Sequence, residues 1–191
     1  MTSLLARFWL LLWRIKAVER AEPMPKKCVI IAAPHTTNWD FPLMLALAKV
    51  TGVKVSWLGK RSLFNGPMGS IMRRLGGVAV DREAAGGMVA SLAAEFDQHE
   101  QLAVVVPAEG TRSKTDYWKS GFYRIAEQAK VPIVLAFVDT STRSGGFGPA
   151  IEVTGDLVAD MDTMRGFYEG RTGLKAGRFG PIRLKEESAL R

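Results

Sequence analysis

Residues 28–40 read CVIIAAPHTTNWD, six small or apolar residues followed by a proline and a polar turn. An unbroken apolar run of this length is typical of a strand that is covered on both faces of a sheet. Pro34 ends the run because it cannot donate to a strand ladder. Cys28, the single cysteine of the sequence, begins the run, and we interpret it as a small buried hydrophobe rather than a reactive thiol. The stretch therefore predicts a buried strand that opens into a polar loop.

The alternation of strand and helix continues along the rest of the chain. Further strands are predicted at residues 53–58, 78–80, 103–106, 131–138 and 151–155. Helices are predicted at residues 41–50, 70–75, 88–99 and 117–130, while 59–69 is interpreted as a loop and 144–148 (SGGFG) as a glycine-rich turn. Because strands alternate with helices and several strands are apolar throughout, we expect an α/β fold. It would be a single domain with a central, mostly buried β-sheet covered by helices.

The start of the chain has a different character. Residues 3–18 read SLLARFWLLLWRIKAV, which is apolar around most of a helix, with Arg7 and Arg14 on one seam. The apolar run is too short to span a bilayer, and two tryptophans without a small-residue cleavage site argue against a secretory signal. Tryptophan and arginine suit the headgroup boundary. We predict an amphipathic membrane-surface helix at residues 1–20 and a domain at 26–191; packing of the helix on that domain is the alternative.

A formal net charge of +7 and an isoelectric point near 9.8 predict anionic partners. Nucleic acid, anionic lipid headgroups, phosphorylated substrates and acidic carrier proteins all satisfy this condition. The cations flank strand-end loops instead of lining one face with interleaved aromatic residues, which argues against nucleic acid. The sequence has no Gly-x-Ser-x-Gly elbow, so a serine hydrolase of lipids is also disfavoured.

His35 and Asp40 lie in the polar loop directly after the first predicted strand. Strand ends that open into helices are favoured positions for active sites in α/β sheets. A histidine there can act as a general base, and a carboxylate five residues later can fold back to orient its ring and stabilise the imidazolium. We therefore consider both residues catalytic candidates. His99, in the polar stretch 97–100, is interpreted as a solvated helix end.

Two further clusters carry polar and cationic side chains. One follows the strand at 103–106 and contains Glu109, Gly110, Thr111 and Arg112. Its glycine permits a tight turn, its hydroxyl can hydrogen-bond, and its arginine can grip a phosphate with two donors. The other runs from Gly59 to Arg82, includes Lys60, and mixes cations with apolar residues, which suits a phosphate head with a greasy tail. Taken alone, the first cluster is better interpreted as an ordinary polar turn. A solvated basic loop is the alternative interpretation of the second.

In this order, the clusters resemble the motifs of the glycerophosphate acyltransferase family, and most closely those of small bacterial 1-acylglycerol-3-phosphate (lysophosphatidate) acyltransferases. The first motif, His followed by four residues and Asp, is matched by His35 and Asp40. The second is matched by Lys60, Leu63, Phe64, Pro67, Gly69, Asp81 and Arg82. The third, Glu-Gly-Thr-Arg-Ser, is intact at 109–113, and the fourth, Val-Pro-Ile, is present at 131–133. The resemblance covers about residues 28–140.

The resemblance implies an activity and a set of roles. The domain at 26–191 would be an acyltransferase domain that moves a fatty acyl group from a thioester donor, acyl-CoA or acyl carrier protein, to a lysophospholipid hydroxyl. His35 would be the base and Asp40 its orienting partner. Glu109, Gly110, Thr111 and Arg112 would form the acceptor site, with Arg112, Arg82 and Lys60 attracting the acceptor phosphate.

The resemblance implies neither a bound cofactor nor a metal, since the acyl donor is a co-substrate. It implies a peripheral protein at the cytoplasmic face of the cell membrane, with anionic lipids as partners. The acceptor that this resemblance implies is 1-acylglycerol-3-phosphate. Another lipid acceptor, such as a lyso-ornithine lipid, and a catalytically silent lipid-binding protein of the same fold are the alternatives.

Overall fold

A central β-sheet organises the computed structural model, which describes residues 2–80 and 87–189. The strands within those residues are β1 (Lys16–Val18), β2 (Lys27–Ala32), β3 (Ser56–Lys60), β4 (Gly77–Val80), β5 (Leu102–Val106), β6 (Ile133–Asp139) and β7 (Ser144–Ile151). They lie in the order β1-β7-β6-β2-β5-β3-β4. Neighbouring strands are parallel, except that β6 and β7 pair antiparallel. The mostly parallel sheet confirms the predicted α/β class.

Helices connect and cover these strands. The described α-helices are α1 (Ser3–Leu12), α2 (Asp40–Thr51), α3 (Gly66–Arg74), α4 (Gly87–Gln98), α5 (Gly121–Ala129) and α6 (Leu157–Tyr168). Short 3-10 helices occur at Arg61–Phe64, Ala176–Arg178 and Lys185–Ala189. Local sequence signals set several of their ends: the Asp156 side chain accepts hydrogen bonds from the first turn of α6, and Gly52 ends α2 in the left-handed conformation.

The strand β2 shows why its sequence is apolar throughout. Val29 and Ile31 point into one apolar cluster, which contains side chains of α4, α5 and α6. Cys28 and Ile30 point into a second cluster on the opposite face, which contains side chains of α1 and α2. All four are fully buried, so the strand has no solvent-facing side. Burial raises the pKa of the Cys28 thiol to about 12, which agrees with its interpretation as an inert core residue.

The predicted N-terminal helix is shorter than expected. It ends at Leu12, Arg14 takes a left-handed conformation with φ 53°, and Lys16–Val18 then joins the sheet as a parallel neighbour of β7. The expectations of one helix to residue 20 and of an arginine seam along it are therefore wrong. Buried Ile15 explains the change, because the chain must turn back to place this side chain in the core.

The helix α1 has two apolar faces. Ala6 and Leu10 are buried against the domain, so this face of the helix packs on the core, as the alternative prediction stated. The opposite side leaves five apolar side chains exposed, those of Leu4, Leu5, Phe8, Leu11 and Leu12. Among the described residues, no helix is both long and apolar enough to cross a bilayer.

The glycine-rich segment 144–148 is part of β7 and not a turn. A Cβ on Gly146 would lie 2.6 Å from the Val18 carbonyl oxygen, so the glycine allows β1 to approach closely. Residues 140–143 make the reversal between β6 and β7 instead. Because β7 already ends at Ile151, the predicted strand at 151–155 does not form.

Two helix boundaries also differ from expectation. The predicted loop at 59–69 contains a 3-10 helix and the start of α3, where Pro67 fits the first helical turn. The helix predicted at 117–130 begins only at Gly121. Trp118 is instead held by a parallel bridge to Leu184, a contact far along the chain that local sequence does not encode.

Candidate active site

The loops that follow β2 and β5 meet at one edge of the sheet. The two strands are parallel neighbours, with Ile31 opposite Val106. The loops that follow them therefore leave the sheet at the same end. Ligands of open α/β sheets bind in the crevice beyond the carboxyl ends of the strands. The topology therefore brings together the first motif, which contains His35 and Asp40, and the third motif at 109–113, although the two are far apart in sequence.

The side chains of His35 and Asp40 face each other within the first loop. Nδ1 of His35 lies 3.2 Å from Oδ2 of Asp40, and both side chains are mostly buried. The same Oδ2 accepts hydrogen bonds from the backbone N–H groups of Thr36 (2.6 Å) and Thr37 (2.8 Å), while the Thr37 hydroxyl donates to Oδ1 at 3.1 Å. The loop thus folds over the carboxylate at the start of α2. A carboxylate beside Nδ1 favours the proton on that nitrogen and leaves the lone pair on Nε2.

Glu109 lies beneath this loop and is 1% exposed. Its Oε1 accepts a hydrogen bond of 2.7 Å from the backbone N–H of His35, whereas its Oε2 is buried without a hydrogen-bond partner among the described residues. Burial raises the pKa of Glu109 from 4.5 to about 7; the bond from His35 opposes the increase, and the charge of Asp40 adds to it. The third motif therefore supports the first through a hydrogen bond to backbone.

We expect glutamine at position 109 to change how stability depends on pH. Because the folded-state pKa of Glu109 is raised, its stabilising contribution is present below pH 4.5 and lost as the pH rises through about 7. Glutamine keeps the shape and does not titrate. The difference in unfolding free energy between Glu109→Gln and the unmodified protein should therefore grow by roughly 3 kcal/mol between pH 4 and pH 8. Denaturant titrations at several pH values measure it, with exposed Glu169→Gln as the control. A constant difference would contradict the raised pKa.

The rest of the third motif, after Glu109, forms the turn that follows β5. Gly110 has φ 67°, a left-handed conformation that favours glycine, and its N–H donates to the Pro107 carbonyl at 3.1 Å. The Thr111 hydroxyl accepts a hydrogen bond from the Ser113 N–H at 3.2 Å and so takes part in the turn itself. Arg112 is exposed, and it lines the same cavity as His35.

That cavity has a volume of about 350 Å³ and mostly apolar walls. His35, Asp40 and Arg112 supply its charged or titratable groups. Its apolar lining comes from α2, β3, β6 and β7 and includes Phe41, Met44, Trp57, Ala136 and Phe147. A pocket with apolar walls and a few convergent polar groups suits an amphiphile with its reactive centre at the polar end.

A larger open cleft, about 1200 Å³, is lined by residues such as Lys49, Lys54 and Arg73. Lys49 and Lys54 come just before β3, at the edge of the sheet opposite His35. His35, Asp40 and Glu109 do not line this cleft, so the smaller cavity is the candidate active site.

Two predicted phosphate-binding residues lie at the limit of what the structure describes. The backbone of Lys60 ends β3 at the same edge of the sheet as His35, but its side chain is outside the described part of the chain. Asp81 and Arg82 also lie outside the described residues.

The apolar cavity was not predicted from the sequence. Its walls come from separate elements, so no local sequence pattern indicates it. His99 is confirmed as a partly exposed residue at the end of α4, near Glu95.

Comparison with known proteins defines the class. A family model described as Acyltransferase matches residues 15–137, and the chain belongs to this family. One relative is a probable 1-acyl-sn-glycerol-3-phosphate acyltransferase from Mycoplasma pneumoniae, 36% identical over 124 residues. That match covers 59% of this chain but only 45% of the relative, so the chain spans less than half of its length.

The fold is similar to that of a solved structure. The crystal structure of the 1-acyl-sn-glycerophosphate (LPA) acyltransferase PlsC from Thermotoga maritima aligns with a TM-score of 0.56 at 16% identity. The alignment covers 99% of this chain and 78% of that chain. The α/β fold and the family resemblance inferred from the motifs are both confirmed.

Proposed function

We propose that this protein transfers a fatty acyl group from a thioester donor to the hydroxyl of a lysophospholipid, with 1-acylglycerol-3-phosphate as the acceptor. The observation that carries the proposal is the position of His35, which contacts Asp40 and lines an apolar cavity of about 350 Å³. Family membership and the named activity of the Mycoplasma relative support it.

The geometry supports a direct transfer. Nε2 of His35 takes the proton of the acceptor hydroxyl while its oxygen attacks the thioester carbonyl carbon. A carbon–oxygen bond forms and the carbon–sulfur bond breaks. The proton then passes from Nε2 to the departing sulfur, so the histidine returns to its starting state. Asp40 orients the ring and stabilises the imidazolium in between, as in other His–carboxylate pairs. The apolar cavity holds the donor's acyl chain, and acyl-CoA or acyl carrier protein supplies the thioester.

A panel of acceptors tests the substrate class. Purified protein is incubated with labelled acyl-CoA, or with labelled acyl carrier protein, in neutral-lipid vesicles. Lysophosphatidate, monoacylglycerol and a lyso-ornithine lipid are compared at equal concentrations. We expect label in phosphatidate at a rate well above that of the other products. Preferential labelling of the ornithine lipid would replace the proposed acceptor, and binding of lysophosphatidate without transfer to any lipid would favour a catalytically silent protein.

We also propose that the exposed side of α1 attaches the protein peripherally to the cytoplasmic face of the cell membrane. Leu11 is 71% exposed and Phe8 is 56% exposed. On the packed side, Trp9 and Trp13 pack against Trp39 with tilted rings, whose centroids lie 5.8 and 5.9 Å from that of Trp39. Because Trp39 immediately precedes Asp40, the helix lies beside the candidate active site. The net charge of +7 favours anionic lipids.

Glutamate at positions 8 and 11 is expected to weaken vesicle binding at least about tenfold. Burial of a large apolar side chain is worth roughly 1.5–3 kcal/mol, and a charge cannot replace it. Co-sedimentation with anionic vesicles measures the effect. Met68→Glu with Ile71→Glu on α3 is a matched control, since both are exposed apolar residues of another helix. Retained binding by the Phe8→Glu, Leu11→Glu variant would contradict attachment through α1.

A further inference from the structure

A C-terminal segment, residues 172–184, crosses the active-site edge of the sheet. It lies outside residues 15–137, the part that the family model matches. Its start is fixed at the end of β6, where the Thr172 N–H donates to Asp139 at 3.1 Å and the Thr140 N–H donates to the Thr172 carbonyl at 2.8 Å. Asp139 is buried, so the segment begins from a rigid point.

The segment first contacts the loop that carries His35. A Cβ on Gly173 would lie 2.9 Å from side-chain atoms of Pro34 and Thr36, so the backbone of Gly173 approaches these two side chains closely. The Lys175 N–H donates to the Thr36 hydroxyl at 3.2 Å. The Arg178 guanidinium donates to the Thr36 carbonyl at 3.4 Å. Since Thr36 is fully buried and adjacent to His35, these contacts place Arg178 beside the base.

The segment then contacts the loop that follows Glu109. The Trp118 N–H donates to the Arg183 carbonyl at 2.8 Å, and the Arg183 side chain donates to the Asp116 carbonyl at 2.9 Å. Residues 172–184 therefore join the two loops that form the site. A segment held at both ends presents its side chains in fixed positions, which lowers the entropy cost of binding a ligand.

The charges of this segment face solvent. Lys175 and Arg178 are exposed, as is Arg112, which lines the cavity. Among the residues that the structure describes, neither Lys175 nor Arg178 pairs with a carboxylate. An arginine guanidinium carries five N–H donors in a planar fork. The guanidinium of Arg178 makes one described hydrogen bond, to the Thr36 carbonyl, which leaves its other donors available.

We infer that Lys175 and Arg178 bind the phosphate of the acceptor and so orient its hydroxyl toward His35. The inference rests on the proposed function. In 1-acylglycerol-3-phosphate the free hydroxyl and the phosphate are on neighbouring carbons, so a base and a phosphate-binding group must lie close together. Arg178, which contacts the residue next to His35, meets this requirement. A phosphomonoester carries a charge of about −1.5 to −2 at pH 7 and accepts paired hydrogen bonds from arginine.

The test compares Lys175→Ala, Arg178→Ala with a matched double variant, Lys49→Ala, Lys54→Ala. Both remove two exposed cations, but Lys49 and Lys54 lie at the opposite edge of the sheet. We expect the first variant to raise KM for lysophosphatidate at least about tenfold, the loss typical of one charge-assisted contact. Its kcat, its KM for acyl-CoA, its transfer to monoacylglycerol and its vesicle binding should match those of the control.

Other outcomes overturn the inference in distinguishable ways. A raised KM for acyl-CoA would assign the cations to the donor's phosphates, and weaker vesicle binding would assign them to bilayer headgroups. Equal losses with lysophosphatidate and monoacylglycerol would indicate a structural role. Lysophosphatidate binding in uncharged detergent gives the same comparison without turnover. If the unmodified protein transfers nothing but binds this lipid through the two cations, the inference stands and the proposed function fails.

Discussion

Alanine at position 35 is expected to lower kcat for acyl transfer by about a thousandfold, within the range of roughly 10²–10⁴ that positioned general bases contribute. The reason is geometric: His35 lines the cavity, and because its Nδ1 lies 3.2 Å from Asp40, Nε2 is the ring nitrogen left to take a proton. KM values for donor and acceptor should change little, because the imidazole acts on a proton and contributes little to ground-state binding.

The second histidine of the sequence provides the control. His99 lies at the end of α4 with its ring about half exposed, and its partners are atoms of Glu95. His99→Ala should therefore retain full activity and the same unfolding midpoint as the unmodified protein. Initial rates with labelled acyl-CoA and lysophosphatidate measure both variants. If His35→Ala kept more than about a tenth of the normal kcat, the general-base mechanism proposed for His35 would be wrong.

Asparagine at position 40 is expected to lower kcat at least about a hundredfold while leaving the protein folded. An asparagine oxygen in the place of Oδ2 still accepts the backbone N–H groups of Thr36 and Thr37, which lie 2.6 and 2.8 Å away. Its amide can donate to the Thr37 hydroxyl, so the loop keeps its bonds. What disappears is the negative charge that stabilises the imidazolium.

Alanine at the same position separates the two roles of Asp40. Asp40→Ala removes the charge and also leaves two buried N–H groups without an acceptor, at a cost of about 1–3 kcal/mol each. The unfolding free energy, measured by denaturant titration, should therefore fall for Asp40→Ala and remain near normal for Asp40→Asn. Normal activity in Asp40→Asn would show that the carboxylate only shapes the loop. Equal destabilisation by the two substitutions would show that the N–H bonds are not the stabilising contacts.

The sequence predicted the centre of the fold because its signals there are local. The run from Cys28 to Ala33 is apolar on both faces, and β2 is indeed covered by helices on both sides. The loop after it places His35 and Asp40 in contact, as their spacing suggested. In both cases the residues that determine the structure are close neighbours in the chain.

Other features depend on contacts between distant residues and were therefore missed. The glycines at 145 and 146 suggested a turn, yet they are needed because Leu47 and the edge strand β1 pack against them. The end of α1 depends on the burial of Ile15, which a helical pattern does not reveal. Glu109 was expected to face the acceptor, and its hydrogen bond to the His35 backbone became visible only when β5 lay beside β2.

The C-terminal segment shows the same limitation most clearly. Its composition is basic, but composition does not specify position. Only the tertiary contacts with Thr36 and Asp116 place the segment across the site. Those contacts turn Lys175 and Arg178 from surface charges into candidates for a specific interaction with phosphate.

The most direct test of the central claim is the fate of the acyl group in a single reaction of the unmodified protein. Labelled acyl-CoA is mixed with the protein and neutral-lipid vesicles, with and without lysophosphatidate, while free thiol and labelled lipids are quantified together. Direct transfer predicts one thiol released for each labelled phosphatidate formed, and almost no thiol without the acceptor. Thiol release with labelled free fatty acid and no labelled phosphatidate would contradict acyl transfer and identify a hydrolase instead.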